Sequence, residues 1–395
     1  MKPLVIIGAG MAGFTLAREV RKLDKEMPLL ILTSDSGDYY SKPMLSNAFA
    51  QNKQAAQLIM QTAVQMAAQL NATIKTSTHV QSINTTQKKI MLDHETLDYE
   101  KLVLAVGAQP IRLMIEGDGA DLVQSVNHVV DYTRFRDMIA LTRHEGSARV
   151  TILGAGLIGC EFADDLRGAG HAVALVDPNP LPLAALAAPV LSQRLLATLV
   201  SRGVTMQLST TATRIDRDGE CLQVTLSNGV TFKTDIVLSA VGLRPDLTLA
   251  RAAGLATGRG ILIDRTGQTN AADVYAVGDC VEYMVDDNGG TRIMPYIAPL
   301  MTAARAIAKT LTGTPTTIDF SDAPVIVKTP SYPIALIPPP LHALEGGRWE
   351  SEEIDGRMIC RFYGADGAMA GFCVAPQDAA TRTALLAAMG APAHV

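Results

Sequence analysis

At 395 residues the chain is long enough for two or three domains, and with 48% hydrophobic and 18% charged residues it has a globular make-up. Its formal net charge of −5 offers no general attraction to nucleic acid or to an anionic membrane, so neither is expected as a partner. Uncharged stretches such as 180–193 are broken by prolines and fall short of a membrane span, the N-terminus does not read as a secretion signal, and a cytoplasmic location is expected.

In chain order, the first signal is VIIGAGMAGFTLAREV (5–20), an apolar run, a glycine-rich turn and a helix read as 11–25. The pattern G-x-G-x-x-G falls on Gly8, Gly10 and Gly13. The first glycine permits the tight turn, the second lets a pyrophosphate approach the backbone, and the third lets helix pack on strand. Free N–H groups at the helix start, with the positive end of its dipole, suit phosphate. The next run, LLILT, leads to Asp35, 27 residues after Gly8. A carboxylate there either accepts hydrogen bonds from a ribose diol or sits in a solvated turn. Residues 39–53 hold no cysteine.

The same device recurs 146 residues on, in VTILGAGLIGCEFADDL (150–166), with glycines at Gly154, Gly156 and Gly159 and a helix read as 157–169. The strand AVALVD ends in Asp177, and no Arg or Lys follows until Arg194. A carboxylate with no cation beside it repels a 2′-phosphate, which favours NADH over NADPH. Glu161 stands in the first turns of this helix, where it either complements the dipole or orients a bound ring. Two complete motifs suggest two dinucleotides that meet. A nicotinamide passing a hydride to a flavin is the simplest chemistry that needs both.

The runs KLVLAVG, DIVLSAVG and DVYAVGD also suit buried strands of parallel sheets, and their alternation with helices argues for an α/β doubly wound plan used twice. After about residue 318 the character changes. TPSYPIALIPPP (329–340) is proline-rich and 348–374 alternates like antiparallel strands, so a small α+β domain closed by a helix at 377–389 is expected, with Trp349 in local packing. The five cysteines show no C-x-x-C spacing and the histidines no H-x3-H pairing, so neither a metal site nor a disulfide framework is expected and the thiols read as buried or idle. The segment after 318 has five Lys/Arg against nine acids and offers no cationic face. Arg134, Arg136 and Arg143 form a local basic cluster, either steering an acidic partner or a solvated helix face.

Taken together, these segments resemble the FAD-dependent pyridine-nucleotide oxidoreductases with a glutathione-reductase-like fold. KLVLAVGAQP (101–110) is similar to that family's segment passing between domains, DIVLSAVGLRPD (235–246) to its returning crossover, and TNAADVYAVGDC (269–280) to its second FAD signature. Closer still, YYSKPMLSNAFAQNK (39–53), LGAGLIGCEFADDL (153–166), PYIAPLMTAARAIAKTL (295–311) and VIVKTPSYPIALIPPP (325–340) resemble the rubredoxin–NAD(+) reductases of alkane-degrading bacteria, from residue 1 to about 375.

The resemblance implies two Rossmann-like dinucleotide-binding domains plus a small C-terminal α+β domain: an FAD domain from 1–112 and 246–318, an NAD domain at 113–245, and a C-terminal domain at 319–395. It implies tightly but non-covalently bound FAD, NADH as substrate, and rubredoxin as one-electron acceptor, feeding an alkane hydroxylase. Flavorubredoxin or an oxygenase-type 2Fe-2S ferredoxin is the alternative acceptor. FAD contacts are implied at Gly8, Gly10, Met11, Ala12 and Gly13, at Ser34 and Asp35, at Val80 near the adenine, and at Ala105 and Gly107 in the crossover. Gly278 and Asp279 would hold the ribityl chain, Ile297 would lie on the isoalloxazine, and Lys42, Pro43 and Lys328 would reach the ring region. Gly154, Gly156, Gly159, Glu161, Asp177 and Gly242 would serve the nicotinamide nucleotide.

A lysine beside the flavin suits the negative charge that reduction places on the ring's N1–C2=O edge. Disulfide reductases of this family carry a C-x4-C pair near the first domain's helix, and this chain has none there. Electrons are therefore expected to leave the flavin directly. No dedicated catalytic side chain is expected, since hydride transfer is mostly positioning, with Lys42, Glu161 and Lys328 as modulators.

Overall fold

A computed structural model describes residues 2–142, 146–285 and 290–392. The chain divides into two compact units, one of residues 1–42, 56–109 and 243–321, the other of 43–55, 110–242 and 322–395. The expected boundaries 112, 245 and 318 stand beside observed ones at 109, 242 and 321. The C-terminal domain clusters with the inserted domain. So does the segment 43–55, which lies inside the range expected for the FAD domain.

The first unit is organised by a five-stranded parallel sheet in the order Val274–Ala276, Lys101–Leu104, Leu4–Ile7, Leu29–Leu32, Thr73–Lys75. Each residue of Leu4–Ile7 and of Leu29–Leu32 is buried, because a parallel sheet covered on both faces admits no alternation of polar and apolar positions. Helix α1, Met11–Leu23, turns Phe14, Leu16, Ala17 and Val20 into the core. The helix Ile297–Leu311 packs beside it. An antiparallel meander of Val80–Asn84, Lys89–Leu92 and Thr96–Asp98 belongs to the same unit, as does a three-stranded sheet in the order Ile261–Ile263, Val281–Met284, Thr291–Ile293.

The second unit repeats the plan with a four-stranded parallel sheet in the order Val204–Leu208, Ala172–Asp177, Arg149–Leu153, Ile236–Ser239. Helix α2, Leu157–Gly168, follows the glycine turn, and helix α3, Pro189–Ser201, opens with proline at its first position, where the missing N–H costs nothing. The C-terminal part is a five-stranded antiparallel sheet in the order Val325–Val327, Ile334–Ile337, Met369–Ala375, Arg357–Tyr363, Arg348–Ile354, with the helix Ala379–Ala387 placing Leu385 in its core. Trp349 packs edge-on against Phe362, with ring centroids 5.2 Å apart.

Segment 43–55 joins the second unit through Phe49, which is 6% exposed and packs edge-on against Tyr132 and Phe135 at 5.2 and 5.4 Å. Tyr132 Oη and Arg136 Nη1 both donate to the Lys53 carbonyl, at 2.9 and 2.8 Å. Of the expected basic cluster Arg134, Arg136 and Arg143, Arg136 thus serves internal bonding. Arg134 is exposed, Arg136 is committed to this loop, and Arg143 lies outside the described residues.

Candidate nucleotide sites

In the first unit the expected residues gather at the carboxyl ends of neighbouring parallel strands, where open α/β sheets take their ligands. Gly8 follows Leu4–Ile7, Ser34 and Asp35 follow Leu29–Leu32, Ala105 and Gly107 follow Lys101–Leu104, and Gly278 and Asp279 follow Val274–Ala276. The glycines are required for different reasons. Gly8 has φ +116°, and a Cβ there would lie 2.2 Å from the Ala105 carbonyl oxygen, while one at Gly13 would lie 2.0 Å from Gly8 O. A Cβ on Gly10 would meet nothing within 4 Å, so that face of the turn is open. Gly278, at φ +90°, lets its strand end approach Ala12, whose Cβ would be 2.6 Å from an added one.

Helix α1 begins at Gly10 with no side-chain cap, which leaves first-turn N–H groups for a ligand. Met11 and Ala12 occupy that half-buried first turn. Asp35 is exposed, and its Oδ1 accepts from Thr33 Oγ1 and Gly37 N at 2.6 and 2.9 Å, which fixes the carboxylate at the strand end. Val80 is half-buried against the core, Lys42 is half-buried, and Ile297 opens its helix 50% exposed.

The second turn reproduces this geometry. Gly154 has φ +103°, a Cβ on Gly159 would sit 1.8 Å from Gly154 O, and one on Gly156 would again meet nothing within 4 Å. Helix α2 starts at Gly156 without a side-chain cap. Asp177, 8% exposed, uses both oxygens locally: Oδ2 accepts from Ala155 N at 2.6 Å, and Oδ1 from Asn179 N and Nδ2 at 2.8 and 2.9 Å. Its charge stands at the end of the strand, but the carboxylate's immediate work is to brace the glycine turn. Gly242 takes φ +107° beyond Ile236–Ser239.

Glu161 is 2% exposed and surrounded by internal donors. Its Oε1 accepts from the Lys328 backbone N–H at 2.8 Å, and its Oε2 from Lys328 Nζ at 2.9 Å, from Asn47 Nδ2 at 3.3 Å and from the Ser46 hydroxyl. Lys328 Nζ also donates to the carbonyl of Pro43. The structure therefore brings Glu161, Lys328 and Pro43 together within the second unit.

Sequence reasoning missed four residues of this region: Ser46, Asn47, Asp164 and Asp165. Asp164 and Asp165 are 1% and 2% exposed. Asp165 accepts from Phe49 N and Ala50 N at 2.8 and 3.0 Å, and burial pushes its carboxyl above the usual range despite those amides. The signal was present, because 161, 164 and 165 fall at i, i+3 and i+4 and share a helix face.

Two thiols lie beside these sites: Cys160 Sγ donates to the Ala155 carbonyl at 3.3 Å, and Cys280 adjoins Asp279. All five cysteines are free, and four of them are buried. Cys280, next to Asp279, is pushed up to about 12 by burial, so it is no thiolate at neutral pH. Among the described residues no group of three or more His, Cys, Asp or Glu could hold a metal, and no helix is long and apolar enough to cross a membrane.

Residues 2–308 match the family model for pyridine nucleotide-disulphide oxidoreductases, and residues 317–389 match that for the rubredoxin binding C-terminal domain. The chain is 43% identical to the rubredoxin-NAD(+) reductase of Acinetobacter baylyi, over 94% of this chain and 93% of that one, and 42% identical to that of Alcanivorax borkumensis, over 95% of each. It is 35% identical to the nitric oxide reductase FlRd-NAD(+) reductase of Aliivibrio fischeri, over 94% of both. Among solved structures, the ferredoxin reductase for the CYP199A2 system from Rhodopseudomonas palustris aligns with TM-score 0.88 at 23% identity, covering 99% of this chain and 96% of that one.

Proposed function

We propose a function from the premise that this chain belongs to the pyridine nucleotide-disulphide oxidoreductase family: it is an FAD-dependent oxidoreductase that carries electrons from NADH to rubredoxin. The observation that carries this reading is the rubredoxin binding C-terminal domain at 317–389, joined to a chain with two open-faced glycine turns. Bound FAD would supply acceptance of the NADH hydride and one-at-a-time release of its two electrons, which suits a one-electron acceptor.

The chain's own residues supply the rest. Gly8, Gly10 and Gly13, with the uncapped start of α1, would hold the FAD pyrophosphate, and Asp35 and Asp279 its polyol groups. Gly154, Gly156 and Gly159, with the start of α2, would hold NADH, and the charge of Asp177 would disfavour a 2′-phosphate. Glu161 would keep Lys328 and the 43–47 turn in place, and Lys328 would act on the flavin. We place the enzyme in the cytoplasm and read an alkane hydroxylase as the consumer of its reduced partner.

The test is an acceptor panel with the flavin-loaded enzyme. NADH and NADPH are each offered with rubredoxin, with flavorubredoxin, with a 2Fe-2S ferredoxin, and with air alone. The expected result is fastest reduction of rubredoxin by NADH. Faster ferredoxin reduction, or equal rates with NADPH, would overturn the reading. Flavorubredoxin is the second reading, favoured by the 35% identity to the Aliivibrio fischeri protein, and it wins if its rate exceeds that of rubredoxin.

A further inference from the structure

We propose that Asp164 is a positioning residue that fixes where the Lys328 ammonium stands. The inference rests on the reading of Lys328 as the cation that acts on the flavin.

Helix α2 turns three acidic side chains, Glu161, Asp164 and Asp165, into the interior of the second unit. A buried charge is costly unless donors or a counter-charge replace its water, so each must be matched. The matching is divided by segment. Asp165 takes the amides of Phe49 and Ala50. Glu161 takes Ser46, Asn47 and both nitrogens of Lys328. Asp164 takes the amide of Ser331 on Oδ2 at 2.9 Å, while its Oδ1 accepts no hydrogen bond and is offset by the charge of Arg202, whose Nε lies 2.8 Å away as an ion pair.

The segment 328–331 is therefore fastened to α2 at two points one helical turn apart, at the amide of Lys328 and at the amide of Ser331. Between them the turn is closed by Thr329, which is 0% exposed: its hydroxyl donates to Tyr332 O at 2.6 Å, and Tyr332 N donates to Thr329 O at 3.1 Å. With both ends pinned, the Lys328 backbone cannot shift unless one fastening breaks. Of the acceptors of its ammonium, Glu161 Oε2 belongs to the same helix, Ser46 Oγ is bonded to that carboxylate, and Pro43 O is the third. Glu161 touches the ammonium directly. Asp164 does not, and its contribution runs through the amide it holds, with the Arg202 side chain, 38% exposed, paired to its other oxygen.

The test measures the midpoint potential of the bound flavin, and the rate of rubredoxin reduction, in Lys328→Met, Asp164→Ala and the double variant. Lys328→Met should lower the potential, because reduced flavin loses a stabilising cation. Asp164→Ala should lower it in the same direction and slow rubredoxin reduction by about threefold, and the double variant should be no worse than Lys328→Met, since groups acting through one another are not additive. Asp164→Asn keeps an acceptor for the Ser331 amide and should restore most of the potential. In Asp164→Ala, NADH affinity should stay unchanged, because Asp164 lies about two turns along α2 from the glycine turn. A potential that drops with Lys328→Met but stays at the wild-type value in Asp164→Ala overturns the proposal alone, as does an additive double variant. No shift in Lys328→Met sinks the flavin reading of Lys328 and this proposal with it. If Asp164→Ala does not fold, Arg202→Gln, at a part-exposed site, should give a smaller shift in the same direction. Its absence would count against the proposal equally.

Discussion

The two glycine turns make one contrast that separates folding from binding. In Gly159→Ala the new Cβ would lie 1.8 Å from Gly154 O, whereas real Cβ atoms essentially never come within 3.0 Å, so helix and turn must part by about 1.2 Å (3.0 − 1.8). The obstacle is backbone, which cannot rotate aside, and the cost falls at the upper end of the overpacking range, about 3 kcal/mol. In Gly156→Ala the Cβ meets nothing within 4 Å, and the residue's φ −76°, ψ −167° is open to alanine. Folding should then be unaffected, or gain up to about 1 kcal/mol because the unfolded chain has fewer conformations to lose. A methyl group on that open face nevertheless fills the space that a pyrophosphate needs, and NADH affinity should fall at least about tenfold, or 1.4 kcal/mol. Urea unfolding of the nucleotide-free protein and NADH titration of the flavin-loaded enzyme read the two effects. A Gly156→Ala enzyme that binds NADH normally would refute the assignment of this turn, and a fully stable Gly159→Ala protein would refute the packing argument.

Glu161→Ala removes the shared acceptor of Ser46, Asn47 and Lys328. Leaving the part-buried ammonium with Pro43 O and Ser46 Oγ but no counter-charge should cost up to about 3 kcal/mol in urea unfolding, with Glu161→Gln well short of that. Burial pushes Asp235 up, but Arg149, through its guanidinium and its backbone N–H, outweighs this and holds the carboxyl below the usual range. Because the folded value lies below the unfolded one, near 3.9, this stabilisation is complete above about pH 4 and is lost as pH falls through the folded value. Asp235→Asn should therefore be less stable at pH 7, with the gap closing in acid. Asp165 has the opposite sign, since burial raises it: its charged form costs stability above the folded value and the cost lifts as pH falls through it. Asp165→Asn removes that cost but turns an NH2 group onto the amide of Phe49 or Ala50, so in urea unfolding the variant should lose ground to the wild type as pH falls through the folded value. Iodoacetamide should label Cys221, the one part-exposed thiol, and leave NADH-to-rubredoxin turnover unchanged.

Much of the scaffold was legible because its signals are local. The seven apolar runs picked out in the sequence became the strands Leu4–Ile7, Leu29–Leu32, Lys101–Leu104, Arg149–Leu153, Ala172–Asp177, Ile236–Ser239 and Val274–Ala276, all in parallel sheets. Burial on both faces leaves such strands no polar alternation to confuse the reading. The outer strands Thr73–Lys75 and Val204–Leu208 are partly exposed and carry Lys75, Thr205 and Gln207, and so went unnoticed. The glycine turns were legible because steric need at each position admits one residue type.

What was not legible depends on partners far away in sequence. The acidic stretch Cys160–Leu166 reads as an ordinary charged helix, and Arg136 as part of a basic face, until the loop 43–53 is in place to use both. A helix with acids at i, i+3 and i+4 is unremarkable when that face meets solvent and expensive when it meets protein. The sequence carries the spacing but not the facing. The donors that decide it are main-chain amides of Phe49, Ala50, Lys328 and Ser331, and every residue but proline has one. Residue identity at those positions is then nearly silent about the bond. The coupling of α2 to the segments carrying Pro43 and Lys328 is thus written in one helix's carboxylates alone, which is why substitutions on that helix are the ones that test it.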